Sequence, residues 1–163
     1  MKRIVLTWGP VFLICGMIFI LSADTHSGRH SQALLGWILQ WFHANSRSRM
    51  AAWEEPFRKL GHVVVYSLLA IASWRAFSFW KRQGRLPWMP PFLWTLLTLV
   101  LYAASDEWHQ TFVPTRTGSV RDVMVDTLGG LLGLVVYWCW RRWIWPARRT
   151  ETFRHDYEYS AME

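Results

Sequence analysis

SDEWHQTFVPTRTGSVRDVMVDTLGGLLG, residues Ser105 to Gly133, is the stretch that decides the fold. It sets two adjacent carboxylates (Asp106, Glu107), His109, Gln110, Arg116 and two further aspartates (Asp122, Asp126) between two strongly apolar runs. The run before it, Phe92 to Ala104, is thirteen residues long, too short to cross a bilayer that needs about 20 helical residues. The missing length must come from its ends, so Asp106 and Glu107 belong to the helix rather than to a linker.

Working outward, the run after the stretch gives a span from about Asp122 to Trp140, closed by Arg141-Arg142. Pro90-Pro91 open the helix before it, and Leu60 to Trp80 forms another span, bracketed by Arg58-Lys59 and Lys81-Arg82. Near the N-terminus, Ile4 to Leu21 follows Lys2-Arg3 and nearly spans the hydrocarbon core. Leu21-Ser22-Ala23 crudely resembles a signal-peptide cleavage site, but three further spans favour a retained helix. Between the first two spans, Asp24 to Phe57 is a polar connection. Leu34, Leu35, Ile38, Trp41 and Phe42 give it one amphipathic helix from about Ser31 to His43. That helix lies along the membrane surface or packs on the outer ends of the spans. The expected fold is an all-α membrane protein of four transmembrane helices, with this short surface helix in the first outer connection. Residues 1–149 form the transmembrane domain and residues 150–163 a polar cytoplasmic tail.

Composition agrees. Of 163 residues, 52% are hydrophobic, 17% aromatic and thirteen are Trp, a residue enriched where an apolar ring ends in a wet interface. The net charge of +7 forms no basic stripe on a nucleic-acid-binding motif. Cys15 and Cys139 sit inside apolar runs without a CxxC and read as packing thiols. The N-terminus, second connection and tail hold ten Lys and Arg residues, against seven in the first and third connections, of which the first is long. Basic residues mark the cytoplasmic side. Both termini are therefore expected there, with Asp24 to Lys59 and His109 to Arg121 outside.

Helical rise then sets depth. Asp106 lies roughly 24 Å above Pro90, Asp126 roughly 22 Å above Arg141 and His62 roughly 28 Å above Lys81. All three reach the outer edge of a ~30 Å hydrocarbon layer, where ionisable groups are costly unless they face a bundle interior or a water-filled cavity. Glu107 shares a helical face with Gln110, Asp122 with Asp126, and His62 with Tyr66. The face of Asp126 continues into Gly129, Gly130 and Gly133, which would let another helix approach closely. Plainer readings stand beside these: Asp122 as the cap of the last helix, and Arg58 and Lys59 as interface anchors. Arg116 either pairs with one of the acids or holds an anionic ligand in its planar fork.

With RKLGHVVVYSLLA at Arg58 to Ala70 and a first span ending in IFILSAD, the stretch resembles the VanZ-like family of membrane proteins over roughly residues 4 to 145. The resemblance marks Ser22, Lys59, His62, Tyr66, Asp106, Glu107, Gln110, Arg116, Asp122, Asp126, Gly129 and Gly133. The chain departs from the family at Pro114-Thr115-Arg116, where Pro-Gly-Arg is common. The resemblance implies a multi-pass protein of a bacterial-type cytoplasmic membrane acting in the cell envelope, and the founding member's name implies teicoplanin resistance.

Glu107, His62 and Asp126 are the expected acid-base residues. Arg116, Gln110, Asp106, Lys59 and Tyr66 are expected to hold the substrate, with Asp122, Gly129 and Gly133 structural. No metal ligand is assigned and no cofactor identified, although the same Asp, Glu and His set could equally bind a divalent cation. Three functions compete: an enzyme on an amphiphilic envelope substrate, a non-catalytic binder or shield of a lipid-linked or glycopeptide ligand, and a small transporter or proton relay. Four spans are few for the last unless the chain oligomerises. Membrane lipid and a lipid-linked or glycopeptide ligand are the expected partners, and nucleic acid is not.

Overall fold

The computed structural model describes residues 2–23, 36–37, 47–86, 88–113 and 118–144. Among them the long elements are four helices and there is no strand: α1 (Lys2–Ala23), α2 (Arg47–Arg82), α3 (Pro91–Gln110) and α4 (Val120–Ile144). Of the surface helix expected at Ser31 to His43, only Gly36 and Trp37 are described, and both are helical. The rest of it, Arg116 and the tail lie outside the described residues.

Among the described residues three helices are long and apolar enough to cross a membrane, over Arg3–Ile20, Glu55–Arg82 and Val120–Trp143. The helix α3 is not among them. Its 20 residues reach about 30 Å only because Ser105 to Gln110 continue the helix, as the short apolar stretch requires.

Local chemistry sets the ends. Pro90, extended at φ −65° and ψ 149°, precedes Pro91 at the first helical position of α3, where a missing N–H costs nothing and the ring presets φ. At the end of α2, the Gly84 N–H reaches the Lys81 carbonyl at 3.0 Å and the Arg85 N–H reaches Trp80 at 3.1 Å. Gly84 has φ +70°, so this is a Schellman stop on the one residue type that takes the left-handed conformation without cost. The start of α2 lies well before the expected Leu60. The helix begins at Arg47 and runs 36 residues through Pro56, longer than the hydrocarbon layer. Its extra turns carry the Glu55–Lys59 ion pair at 2.7 Å, with the acid four residues before the base, the favourable order on a helix.

The helix α2 packs against all three others. Trp8 of α1 meets Phe77 edge-on at 5.1 Å and Trp80 at 6.2 Å, while Phe77 stacks on Trp94 of α3 at 5.9 Å. The starts of α1 and α3 therefore meet the end of α2, and α2 runs opposite to both. Arg85 lies 5.0 Å over Trp80 and Arg142 5.6 Å over Trp138. This end of the bundle is an aromatic and basic layer of the kind that anchors helices at a membrane interface.

Burial is inverted relative to a water-soluble domain. Leu6, Phe12, Leu13, Ile20, Leu128 and Leu132 are exposed, whereas Ser22, Ser73, Thr95, Asp106, Glu107, Gln110 and Asp126 are buried. An apolar exterior of this extent suits lipid, not water.

The tightest seam joins α2 to α4. A Cβ on Gly129 would stand 3.1 Å from Val63 Cα, and one on Gly133 would collide with the Ser67 side chain. Ser67 Oγ donates to the Val63 carbonyl at 2.7 Å and also lies 3.0 Å from the Gly129 carbonyl oxygen across the seam. Small residues let the backbones come this close, and packing follows, as is usual where no hydrophobic effect drives helices together. Gly133→Val is expected to destabilise the bundle by about 2 kcal/mol, the scale of overpacking. Ser67→Ala should cost only about 0.6 kcal/mol, the mean for interhelical hydrogen bonds in membranes. Thermal unfolding of the detergent-solubilised protein checks both, and equal losses would contradict the steric account.

Candidate functional site: a polar joint of three helices

Polar side chains gather where the end of α3 and the first turns of α4 meet the middle of α2. Four-residue spacing puts His62 and Tyr66 on one side of α2, and Asp106 and Gln110 on one side of α3. His62 Nδ1 lies 3.3 Å from Asp126 Oδ2, a contact between a half-buried imidazole and a buried carboxylate. Asp106 Oδ2 accepts from the Tyr66 hydroxyl at 3.4 Å and from Gln110 Nε2 at 3.2 Å. One nitrogen of His62 and one oxygen each of Asp106 and Asp126 all fall within 4.8 Å of one another. The side chain of His62 keeps 25% of its surface, against 4% and 2% for residues Asp106 and Asp126. The imidazole is therefore the cluster's open side.

Glu107 makes a different contact. Its Oε2 accepts the backbone N–H of Ser119 at 2.7 Å, which pins the start of α4 to α3. Gly118 permits this approach, because a Cβ there would stand 2.6 Å from the Glu107 carbonyl oxygen. Ser119 is the N-cap of α4: its carbonyl accepts from Asp122 and Val123, and its Oγ from the Arg121 N–H at 3.2 Å. Asp122, for which capping was one of two open readings, sits instead in the first turn, where its charge complements the helix N-terminus. The reason is the close return of the chain over α3, which begins the helix earlier than the apolar pattern suggests.

The structure thus brings together His62, Tyr66, Asp106, Gln110 and Asp126. Lys59 pairs with Glu55 on the more exposed outer part of α2. Gly129 and Gly133 lie in the seam that carries α4 past His62 and Ser67. Arg116 lies outside the described residues.

Beside the cluster is a cleft of about 250 Å³ whose wall includes Phe19, Tyr102, Trp108, His109, Phe112 and Asp106. Phe19 packs on His109 with ring centres 4.3 Å apart, and Trp108 meets Phe112 edge-on at 5.6 Å. The Tyr102 hydroxyl donates to the Cys15 carbonyl and ties α3 to α1. Sequence reasoning passed over the cleft, because Phe19 and Phe112 belong to apolar positions indistinguishable from lipid-facing ones. Ser67 was also missed, although a small polar residue one turn from Val63 was a signal for a glycine partner. The Ser-x-x-Asp spacing of Ser119 and Asp122 was a legible capping signal.

A model of the VanZ/LLP1 family matches residues 8–141 of the chain, which includes every residue of the cluster. Comparison with curated proteins and with solved structures gives no significant match.

The role of Glu107 is tested by substitution. Glu107→Gln keeps a carbonyl acceptor for Ser119 and should cost under about 1 kcal/mol, whereas Glu107→Leu strands a half-buried N–H and should cost about 2 kcal/mol. Thermal unfolding in detergent measures the difference, and equal stability of the two variants would remove the Ser119 tie from the account.

Proposed function

The chain belongs to the VanZ-like family, and from that premise we propose that it is a multi-pass protein of a bacterial-type cytoplasmic membrane acting on an amphiphilic cell-envelope substrate. The observation that supports this best is the double membership of Asp106. Its carboxylate belongs to the buried polar cluster and also to the wall of the aromatic cleft. At about 250 Å³ the cleft is below the ~300–1,000 Å³ typical of sites that enclose a whole small molecule. It suits a segment of one lipid chain, with the polar head beside His62.

In this reading His62 and Asp126 move a proton at the substrate head, a role that suits a paired imidazole with an open side. Asp106, Tyr66 and Gln110 hold the head. Arg116, in the outer connection, supplies a planar fork for an anionic group. Glu107 serves the same reaction by fixing the start of α4, and so the position of Asp126. The excess of basic residues at the ends and in the second connection supports a topology with both termini in the cytoplasm and the cluster in the outer leaflet. Altering a lipid-linked envelope precursor there would change what a teicoplanin-type glycopeptide meets, and resistance is the cellular outcome.

Expression-matched cells carrying Asp126→Asn or His62→Gln should lose glycopeptide resistance to the level of cells lacking the protein, since acid-base groups contribute about 10²- to 10⁴-fold. Retained resistance in both, with loss in Ser105→Trp, would instead support a binder that shields its ligand by shape. Retained resistance in all three variants defeats the amphiphile reading. Orientation has its own check: a cysteine placed at Thr117 should react with a membrane-impermeant maleimide in intact cells. Labelling only after permeabilisation would put the cluster on the cytoplasmic side.

A further inference from the structure

We propose that His62, Asp106 and Asp126 bind one divalent transition-metal ion, Zn²⁺ or Mn²⁺ in class, at the joint of α2, α3 and α4. The donor set is mixed, an imidazole nitrogen with two carboxylate oxygens, each delivered by a different helix. Three atoms all within 4.8 Å of one another leave a point about 2.8 Å or less from each, at most about 0.6–0.8 Å outside the ~2.0–2.2 Å of Zn–N and Zn–O bonds. Small rotations of the side chains close that gap.

The spacing inside the cluster points the same way. His62 Nδ1 and Asp126 Oδ2 are 3.3 Å apart, beyond the ~2.7–2.9 Å of a charge-assisted hydrogen bond. Two ligands of one metal at about 2.1 Å, meeting at between 90° and 110°, stand roughly 3.0–3.4 Å apart.

Charge and support complete the argument. A divalent cation neutralises both carboxylates with His62 neutral, the form in which imidazole ligates. Tyr66 and Gln110 orient Asp106 by hydrogen bonds, as outer-shell partners orient ligating carboxylates. The imidazole disfavours Mg²⁺ and Ca²⁺, which take oxygen ligands, Ca²⁺ six to eight of them. With three protein ligands, a position stays open on the side where His62 is exposed.

The metal site goes beyond the amphiphile reading, since His62 and Asp126 then act as ligands rather than as a proton-moving pair, and it is tested without lipid substrate. The full chain, purified in detergent and stripped with a chelator, is titrated with Mn²⁺ or with Zn²⁺ alone and its bound metal counted by mass spectrometry. Wild type should take up one ion per chain, and Mn²⁺ should give nitrogen hyperfine coupling from His62 in pulsed electron paramagnetic resonance. Asp106→Asn and Asp126→Asn should each weaken binding by more than the ~10–100-fold typical of losing an outer-shell partner. Tyr66→Phe should fall within that range and Asp122→Asn should bind as wild type. Failure of wild type to bind either ion near one equivalent overturns the proposal, whatever the variants do. So does a loss on Asp122→Asn equal to that on Asp126→Asn, or Mn²⁺ bound without nitrogen coupling. Because the readout is metal alone, it can fail while the resistance test succeeds, and the reverse.

Discussion

Two carboxylates and an imidazole meet at the joint of three helices in a bundle whose outer surface is apolar. In such a setting water is not at hand to satisfy them, so each must find its partner within the protein. His62 answers Asp126, while Tyr66 and Gln110 answer Asp106. None of these pairs is local except Gln110 with Asp106. The helices must therefore stand at fixed depths and rotations for the charges to be tolerated at all, and much of the rest of the structure serves that requirement.

Two devices hold the register. Between α2 and α4, the glycines at 129 and 133 remove the side chains that would keep Asp126 away from His62, and Ser67 fills the space with an interhelical contact. Between α3 and α4, Glu107 holds the N–H of Ser119, and the bare backbone of Gly118 makes room for that return. The first device fixes how near the helices come; the second fixes where α4 begins. Together they determine the height of Asp126. At the far end, Trp8, Phe77, Trp80 and Trp94 lock α1, α2 and α3 in an aromatic layer flanked by arginines.

The result is a joint with one polar side and one apolar side. Asp106 joins them, since it faces the polar cluster and also borders a cleft walled by Phe19, Trp108 and Phe112. A VanZ-like protein that handles amphiphiles would need this adjacency, because head and chain of such a molecule must be accommodated at once. Glu107 illustrates how a residue beside the cluster can matter without entering it. It positions Asp126 through the helix that carries it.

Much of this was legible in the residues. The helical class, the spans at Leu60 to Trp80 and Asp122 to Trp140, and the shared level of His62, Asp106 and Asp126 followed from apolar run lengths and the fixed rise of a helix. The glycine face of α4 announced a close neighbour because periodicity of 3.6 residues is a local property. The sequence could not say that Gln110 would turn to Asp106 while Glu107 turned to Ser119, since residues one turn apart share a face but not a rotamer or a partner. Nor could it reveal that α2 would begin at Arg47, that Ser119 would cap α4 in place of Asp122, or that Phe19 would meet His109. Depth along a helix is counted residue by residue and so belongs to the sequence. Rotation about its axis, and the choice of partner, are settled only when the packed helices compete for the same space, and that contest belongs to the tertiary structure.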